Sequence, residues 1–476
     1  MINKKGQVFT PKEYVKKLLD EVDYEGKVIL NKVFLENSVG SGNILLEAIS
    51  RYLIVAEEND ISVEIIKKKL QTNFIAFDID GEVIQECKNK LDELALNFGV
   101  TGVQWNIIND NYLEYKKKIE ADYIVGNPPY LTYRDLDIHE RESLKSRFKS
   151  CEHGKFDYCY AFIEKSLEDL KKESGKMSYL IPSSIFKNTF GTNLRKLMLS
   201  RVKKIVDFQH RNVFESALIS PAIFSLDNSY DDSQVVYSSP DINHDLIIPK
   251  VNFKDKWIFS DKEVKEEGYK SFGDYFEVVN SVATLLNEAF VIQNFTEESE
   301  RIIADDIILE AKGLRKACSP RSKSINRNEK IIFPYKYDLE GNLVRYTEKE
   351  FLNIFPNVAL YLKKYSEKLG RRKADGYWFE YGRIQGLRLI NQPKIMISSI
   401  ITDSVKAYKL EKEEIPYSGF FIVPKKELSL EEAYQMLTSA EMYEHLLERA
   451  INANGRSIRI SVKDIKDFPL KSDLFK

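Results

Sequence analysis

The stretch FLENSVGSGNILLEAI, residues 34–49, reads as a short apolar strand, a glycine-containing turn and the start of an amphipathic helix. The strand ends at Glu36, and Gly40 and Gly42 lie in the turn before the helical segment 43–57. Glycines at such a turn permit positive φ angles and a close approach of the backbone to a ligand. The unit is therefore typical of a nucleotide pocket. Because it lacks the third glycine of the dinucleotide-binding fingerprint, an ordinary tight turn remains an alternative.

Strand-like runs and segments of helical period alternate outward from this unit to about residue 230. The predicted strands are 32–36, 73–78, 104–108, 121–126, 176–182, 203–208 and 221–226, and the predicted helices include 43–57, 82–97 and 157–173. Such alternation predicts a mostly parallel sheet of an α/β domain, covered by helices on both faces. Functional residues are then expected at the carboxyl ends of the strands.

A polar, turn-rich stretch at 227–239 predicts a domain boundary. We therefore expect a Rossmann-like domain with a seven-stranded sheet over 1–230 and a mixed α+β domain over 231–476. The second half combines short strands and helices without regular alternation.

Composition excludes several classes of protein. The 476 residues carry a net charge of −2, so any contact with nucleic acid has to come from local basic patches. No apolar run is long enough for a transmembrane helix, and the N-terminus has no apolar signal segment, so we expect a cytoplasmic protein with no membrane contact. The four scattered cysteines and five histidines have no metal-ligand spacing, which predicts no metal site.

Acidic side chains follow three successive predicted strands. Glu36 ends the first, Asp78 the second, and Asp110 follows the third. An acid at the second position can hold ribose hydroxyls, although Asp80 could also simply cap a helix and Asp110 could form a turn. Because acids follow three successive strands, a purely structural role explains all three together less well than it explains any one of them.

The fourth strand ends in GNPPY, residues 126–130. Neither proline has an N–H, and both fix φ, so the segment cannot continue a hydrogen-bonded strand. The motif holds one amide, rigid carbonyl groups and one aromatic ring at the edge where ligands are expected.

With these motifs in this order, the chain resembles the class I S-adenosylmethionine-dependent methyltransferases that act on amino groups. More closely, it resembles the gamma-type, TaqI-like DNA adenine-N6 methyltransferases of restriction–modification systems. The resemblance covers residues 6–230 and extends more loosely into the second half. It implies S-adenosyl-L-methionine as the cofactor, bound by Phe9, Thr10, Pro11, Glu36, Gly40, Gly42, Asp78, Ile79 and Asp110. In the glycine-rich motif, Asn37 and Ser38 replace the Pro-Ala pair that is usual in the family.

The resemblance also implies a role for the GNPPY segment. The adenine amino nitrogen is a poor nucleophile, and the Asn127 side-chain oxygen and the Pro128 carbonyl would accept its hydrogens and localise its lone pair. Pro129 would fix the direction of the Pro128 carbonyl, so that this acceptor is preorganised for the transition state. A duplex buries the amino group, so the base has to be flipped out, with Tyr130 stacking on it and Phe190, or else Phe186, on its opposite face.

Two basic stretches in the second half, 312–330 and 363–388, favour nucleic acid as the partner. The first holds seven Lys and Arg against one Glu, and the second eight against three acids with interspersed aromatic residues. The candidate DNA-binding residues are Arg315, Lys316, Arg321, Lys323, Arg371, Arg372 and Arg383. A solvated charged surface is the alternative.

These observations predict a site-specific DNA methyltransferase that acts as a monomer on double-stranded DNA, in a bacterial or phage-like setting. It would either have a separately encoded cognate endonuclease or be an orphan epigenetic enzyme. Methylation of RNA adenine or of protein glutamine stays open, as does a non-catalytic DNA-binding module. Cytosine-N4 methylation uses the same chemistry, usually with Ser in place of Asn127. Because the cofactor motif begins near residue 6, no fused N-terminal nuclease is expected.

Overall fold

A computed structural model describes residues 10–209, 220–230, 232–240, 242–260, 270–298, 301–384, 386–425, 427–453 and 456–470. The chain forms two compact units, Met1–Val264 and Lys265–Lys476.

The first unit alternates strands and helices. Its strands are β1 (Phe34–Glu36), β2 (Phe74–Asp78), β3 (Asn106–Asn109), β4 (Tyr123–Gly126), β5 (Lys176–Pro182), β6 (Val202–Asp207), β7 (Pro221–Asp227), β8 (Gln234–Ser238) and β9 (Leu246–Pro249). Its helices are α1 (Lys12–Asp20), α2 (Asn43–Glu58), α3 (Val63–Asn73), α4 (Gly81–Leu96), α5 (Ile138–Arg147), α6 (Cys159–Asp169) and α7 (Thr192–Met198). The seven strands predicted from the sequence are all present, with ends that differ by at most two residues.

One sheet joins these strands in the order β3-β2-β1-β4-β5-β7-β6-β8-β9. Strands β1 to β5 pair in parallel, and β7 runs antiparallel between β5 and β6. The predicted α/β class with a mostly parallel seven-stranded sheet is confirmed, and β8 and β9 extend it. The expected boundary at residue 230 falls inside this unit, because β8 pairs with β6 and β9 pairs with β8.

The two faces of the sheet carry separate hydrophobic cores. Phe34 of β1 points into a core shared with α1 to α4, whereas Leu35 points into a core shared with α5 to α7. Successive strand residues face opposite sides, so a strand covered on both faces is apolar at consecutive positions. The three residues of β1, including Glu36, are all buried. The sheet is thus a rigid platform for the turns at its carboxyl edge.

The second unit is built from short elements. Its strands are β10 (Phe276–Asn280), β11 (Val291–Ile292), β12 (Thr296–Glu298), β13 (Arg301–Ala304), β14 (Ile307–Leu309), β15 (Leu314–Cys318), β16 (Lys330–Ile332), β17 (Tyr335–Tyr337), β18 (Leu343–Arg345), β19 (Lys394–Ile397), β20 (Ile400–Ile401), β21 (Ala407–Leu410), β22 (Glu414–Pro416), β23 (Phe420–Pro424), β24 (Ile451–Asn452) and β25 (Ile458–Arg459). Its helices are α8 (Phe272–Tyr275), α9 (Asn287–Phe290), α10 (Pro320–Ser324), α11 (Glu348–Ile354), α12 (Pro356–Lys363), α13 (Ser366–Gly370), α14 (Leu430–Leu437), α15 (Ala440–Arg449) and α16 (Val462–Lys466). They form small sheets around two main cores, as the irregular pattern of the sequence predicts.

Within the described ranges, no helix is long and apolar enough to cross a membrane.

Candidate active site

The turn between β1 and α2 uses its two glycines for different purposes. Gly42 has φ of +84°, and a side chain there would overlap the thiol of Cys87 on α4. Gly40 has φ of +49°, and a side chain there would meet open space. The first glycine of the pair therefore leaves room for a ligand, and the second lets α2 approach α4.

Asp78 ties this turn to the end of β2. Its carboxylate accepts hydrogen bonds from the backbone N–H of Gly40 at 2.9 Å and of Asp80 at 3.0 Å. Each carboxylate oxygen has two acceptor sites, so Asp78 keeps acceptor capacity for a ligand hydroxyl. Asp80 accepts the N–H of Glu82 and caps α4, so the two acids have separate roles.

Glu36 is enclosed beneath the same turn, with only 1% of its surface exposed. Its Oε2 atom has no hydrogen-bond partner among the described residues. Burial raises the pKa of Glu36 well above its usual value; a hydrogen bond with the Leu45 backbone opposes the shift, and the negative charge of Asp78 adds to it. An enclosed carboxyl group beside open space at Gly40 fits a polar ligand with positive charge.

Asn37 and Ser38, the two departures from the family motif, each hold the site together. The Asn37 amide donates to Ser166 Oγ at 2.9 Å and to the hydroxyl of Tyr179. Ser38 Oγ donates to the backbone carbonyl of Asn127 at 3.1 Å. These bonds link the end of β1 to α6, β5 and the GNPPY segment. The sequence shows at these positions that the usual Pro-Ala pair is absent. It does not show which residues would form hydrogen bonds with Asn37 and Ser38.

The amide of Asn127 is oriented by the N-terminal segment. Its Nδ2 donates to Thr10 Oγ1 at 3.1 Å, and Asn43 Nδ2 donates to the Thr10 carbonyl at 2.9 Å. The Oδ1 atom of the same amide is buried. Thr10 is buried, and Pro11 stands at the N-terminus of α1. Phe9 lies outside the described residues.

The predicted aromatic residues divide into exposed and buried ones. Phe190 is 40% exposed, and its ring lies against Gly154. Phe186, the alternative to Phe190, is fully buried and stacks on Trp257 at 5.7 Å, so it is a core residue. Tyr130 is half-buried, and burial raises its pKa well above the usual value, so its hydroxyl stays neutral.

The remaining predicted cofactor residues lie at the same edge of the sheet. Ile79 follows β2 and is 55% exposed, which is unusual for a large aliphatic side chain next to a buried strand. Asp110 follows β3, is exposed, and accepts the N–H of Asn111 at 2.7 Å. Both side chains are accessible to a ligand at the carboxyl edge.

The basic residues of the second unit have different surroundings. Lys316 and Lys323 both pair with Glu414 at 2.8 Å. Burial alone would raise the pKa of Glu414, but the hydrogen bonds from these lysines lower it to about 2. Arg315 lies over the ring of Phe333, and Arg321 is exposed. The charges of the two lysines are thus partly compensated within the protein.

The segment 371–383 holds three further arginines. Arg372 donates to the carbonyls of Thr284 (2.6 Å), Trp378 (2.8 Å) and Glu380 (3.1 Å), which is the pattern of a structural anchor. Arg371 is 76% exposed beside Glu367, and Arg383 pairs with Asp375 at 3.2 Å. Of these three predicted DNA-binding residues, Arg371 is the most accessible.

Comparison with known proteins supports the interpretation of the first unit as similar to methyltransferases. A family model described as Eco57I restriction-modification methylase matches residues 52–214, a range that includes Asp78, Asp110, Asn127 and Phe190. The predicted resemblance to methyltransferases of restriction–modification type is confirmed.

Curated relatives match more of the chain. The Type II methyltransferase M.HincII of Haemophilus influenzae is 24% identical over 409 residues, which are 80% of this chain and 70% of that protein. The Type II restriction enzyme and methyltransferase RM.Eco57I of Escherichia coli is 24% identical over 510 residues, covering 84% of this chain and 49% of that protein. The chain therefore spans about half the length of RM.Eco57I.

Among solved structures, the Type IIL restriction-modification enzyme MmeI in complex with DNA superposes with a TM-score of 0.60 at 13% identity. The match covers 96% of this chain and 64% of that one. At this identity the likeness shows a shared fold, and it includes the second unit as well as the first.

Proposed function

We propose that the chain is a site-specific DNA methyltransferase that methylates the N6 amino group of an adenine flipped out of duplex DNA. The observation that carries the proposal is the orientation of Asn127 at the end of β4. Thr10 accepts from its amide nitrogen, and Ser38 donates to its backbone carbonyl. An amide held at both its side chain and its backbone has a fixed orientation, which suits an acceptor for an amino group.

The methyl donor is S-adenosyl-L-methionine, which supplies an electrophilic methyl group on a positively charged sulfur atom. Gly40 leaves space for it, Glu36 would face its cationic part, and Asp78 would accept from its ribose hydroxyls. Ile79 and Asp110 would contact its adenine ring, and Thr10 and Pro11 would border its methionine part. The buried Glu36 carboxyl and the open space at Gly40 support this assignment.

The target amino group is held by two acceptors. The Asn127 side-chain oxygen and the Pro128 carbonyl accept its two hydrogens, which draws the nitrogen lone pair out of conjugation for in-line attack. Pro129 fixes the backbone direction and adds no competing donor. The excess proton leaves after transfer, so no side-chain base is needed before attack.

Aromatic rings hold the extruded base. Tyr130 stacks on one face, and Phe190 stacks on the other; the exposure of Phe190 and the burial of Phe186 support this choice. Stacking of a base on an aromatic ring contributes about 1–3 kcal/mol, part of which offsets the cost of unpairing.

Duplex DNA is the partner of the second unit. The exposed Arg371 and Arg321 and the partly buried Arg315 neutralise phosphates there, whereas Arg372 maintains the fold. The DNA complex of MmeI and the names of the Type II relatives support DNA as the substrate. The enzyme acts as a monomer, with a separately encoded cognate endonuclease.

The test is transfer of labelled methyl groups from S-adenosylmethionine into duplex DNA by wild type and by Asn127→Ala. We expect the variant to lose transfer by at least about 100-fold while it binds cofactor normally, because the acceptor for the amino group is gone. Asn89→Ala, at an exposed amide on α4, is the matched control and keeps full activity. Activity retained in Asn127→Ala would contradict the role of this residue.

A further inference from the structure

Leu285 has an unusual backbone conformation in the second unit. Seven non-glycine residues have positive φ among those that the structure describes, and six of them are Asp, Asn or Gln. Leu285 is the seventh, with φ of +57°. The left-handed region disfavours a bulky apolar side chain, so this conformation persists only where surrounding structure enforces it.

The loop around Leu285 is held by bonds that enforce this conformation. The carbonyl of Thr284 accepts from Arg372 at 2.6 Å and from the N–H of Gly382 at 3.2 Å. Thr284 Oγ1 also accepts the N–H of Leu286 at 3.1 Å, and Ala283 pairs with Arg383 in a β-bridge. Gly382 leaves the space that the Leu285 side chain occupies. The loop is thus anchored immediately before and after the strained residue.

This anchored loop presents apolar surface to solvent. Leu285 is 48% exposed although its backbone is fixed, and Ile384 and Tyr377 nearby along the facing segment are 41% and 43% exposed. A hydrophobic core does not require this arrangement, because a glycine or asparagine would adopt the same turn without strain. About half of the leucine side chain is therefore available to a partner.

The segment that bonds to the Leu285 loop carries both basic and acidic side chains. Arg383 forms a β-bridge with Ala283 of the loop. Arg372, which donates to the Thr284 carbonyl, is flanked in sequence by the exposed Arg371 and Lys373. Acidic groups are present as well: Asp375 pairs with Arg383, Glu367 with Arg371, and Glu288 with Lys368. An apolar tip among basic side chains suits a polyanion that has apolar surface between its charges, which describes the grooves and base steps of DNA.

We propose that Leu285 is an apolar finger that enters a groove of duplex DNA and contacts the bases there, while the neighbouring basic residues hold the phosphates. The inference rests on the proposed function as a DNA methyltransferase and assigns this loop to its DNA interface. The anchored backbone holds the half-exposed leucine against Gly382 before DNA arrives, so little ordering of this side chain opposes binding.

Two variants of Leu285 distinguish a side chain that contacts DNA from one that only packs within the protein. Leu285→Gly removes the side chain and relieves the positive-φ strain, so we expect an equal or higher Tm together with roughly tenfold weaker binding of labelled linear plasmid DNA. Leu285→Asn keeps a side chain in a conformation that asparagine favours but removes the apolar contact, so it is expected to weaken DNA binding similarly. Leu339→Gly, at a fully exposed leucine between β17 and β18, is the matched control and leaves binding unchanged.

The outcomes distinguish this inference from the proposed function. If either Leu285 variant bound the plasmid with wild-type affinity, the proposed DNA contact of Leu285 would be wrong. An equal loss of DNA affinity in Leu339→Gly would also contradict it. A lower Tm in Leu285→Gly would also count against it, because the side chain would then be a packing residue. Methyl transfer into the plasmid is measured in parallel: wild-type protein that binds but transfers no methyl group would overturn the proposed function alone, and wild-type protein that does not bind would overturn both.

Discussion

At the scale of single residues, the buried carboxyl of Glu36 connects the fold to ligand binding. Because burial raises its pKa, Glu36 is held neutral to higher pH than a free carboxyl. A group whose pKa is raised in the folded state contributes stability below its unfolded pKa and loses it as pH rises through the folded value. The ligand-free protein should therefore lose stability as pH rises toward the pKa of Glu36.

Glu36→Gln is expected to remove this pH dependence, because an amide of the same shape does not ionise. Urea unfolding of the ligand-free proteins across pH measures the effect, and the variant should become the more stable of the two on the alkaline side. Binding of the cationic cofactor should lower the pKa of Glu36, so calorimetry in buffers of different ionisation enthalpy should detect proton release with wild type only. Equal proton release in both proteins would contradict this role.

Other single residues show where reasoning from the sequence ends. The sequence predicts that Glu36, Asp78 and Asn127 converge, because the ends of parallel strands meet at one edge of the sheet. It did not reveal that Thr10 orients Asn127 from 117 positions away, since that bond depends on tertiary packing. The resemblance favours Phe190 over Phe186, but only the structure shows that Phe190 is exposed and Phe186 is buried.

At the scale of elements, the turn between β1 and α2 predicts opposite phenotypes for its two glycines. Gly42→Ala would force a methyl group into the Cys87 thiol as well as strain the backbone, and should lower the free energy of unfolding by about 3 kcal/mol. Gly40→Ala meets no protein atom and should cost only about 1 kcal/mol of backbone strain.

Cofactor affinity should rank the two variants in the opposite order from stability, because Gly40→Ala should lose more affinity than Gly42→Ala. The methyl group of Gly40→Ala projects into the space assigned to the ligand, so this variant should bind S-adenosylmethionine much more weakly for a small loss of stability. Chemical unfolding and equilibrium dialysis measure the two effects. Normal cofactor affinity in Gly40→Ala would show that the space above this turn is not the binding site.

The elements also differ in how well the sequence predicts them. Strands β1 to β7 are predictable because buried strands are continuous apolar runs, most of them separated by helical segments. Strand β8 lies within the polar, turn-rich stretch 227–239 that predicts a domain boundary, and β9 lies beyond it, in the predicted second domain. The second unit has strands of two to five residues, too short for periodicity to indicate their pairing.

At the scale of the whole molecule, a net charge of −2 means that DNA binding has to depend on a few local charges. Arg371 and Arg372 are adjacent in sequence and should behave differently. Arg371→Ala should reduce the slope of log affinity for DNA against log salt concentration by about 0.9 for its one phosphate contact, with unchanged stability. Arg372→Ala should instead lower the free energy of unfolding by about 2–4 kcal/mol, because three backbone carbonyls lose their charged donor.

Titration of duplex DNA at several salt concentrations, together with urea unfolding, measures both effects. Arg372→Ala thus serves as the structural counterpart of Arg371→Ala. An unchanged salt slope in Arg371→Ala would remove this exposed arginine from the DNA interface.

The central claim concerns which amino group receives the methyl group. The most direct measurement incubates the full chain with isotope-labelled S-adenosylmethionine and duplex DNA, digests the DNA to nucleosides, and identifies the labelled nucleoside by mass spectrometry. The arrangement of Asn127, Pro128 and Tyr130 predicts that the label is found in N6-methyladenine. Label in N4-methylcytosine, or in RNA or protein with none in DNA, would contradict the account.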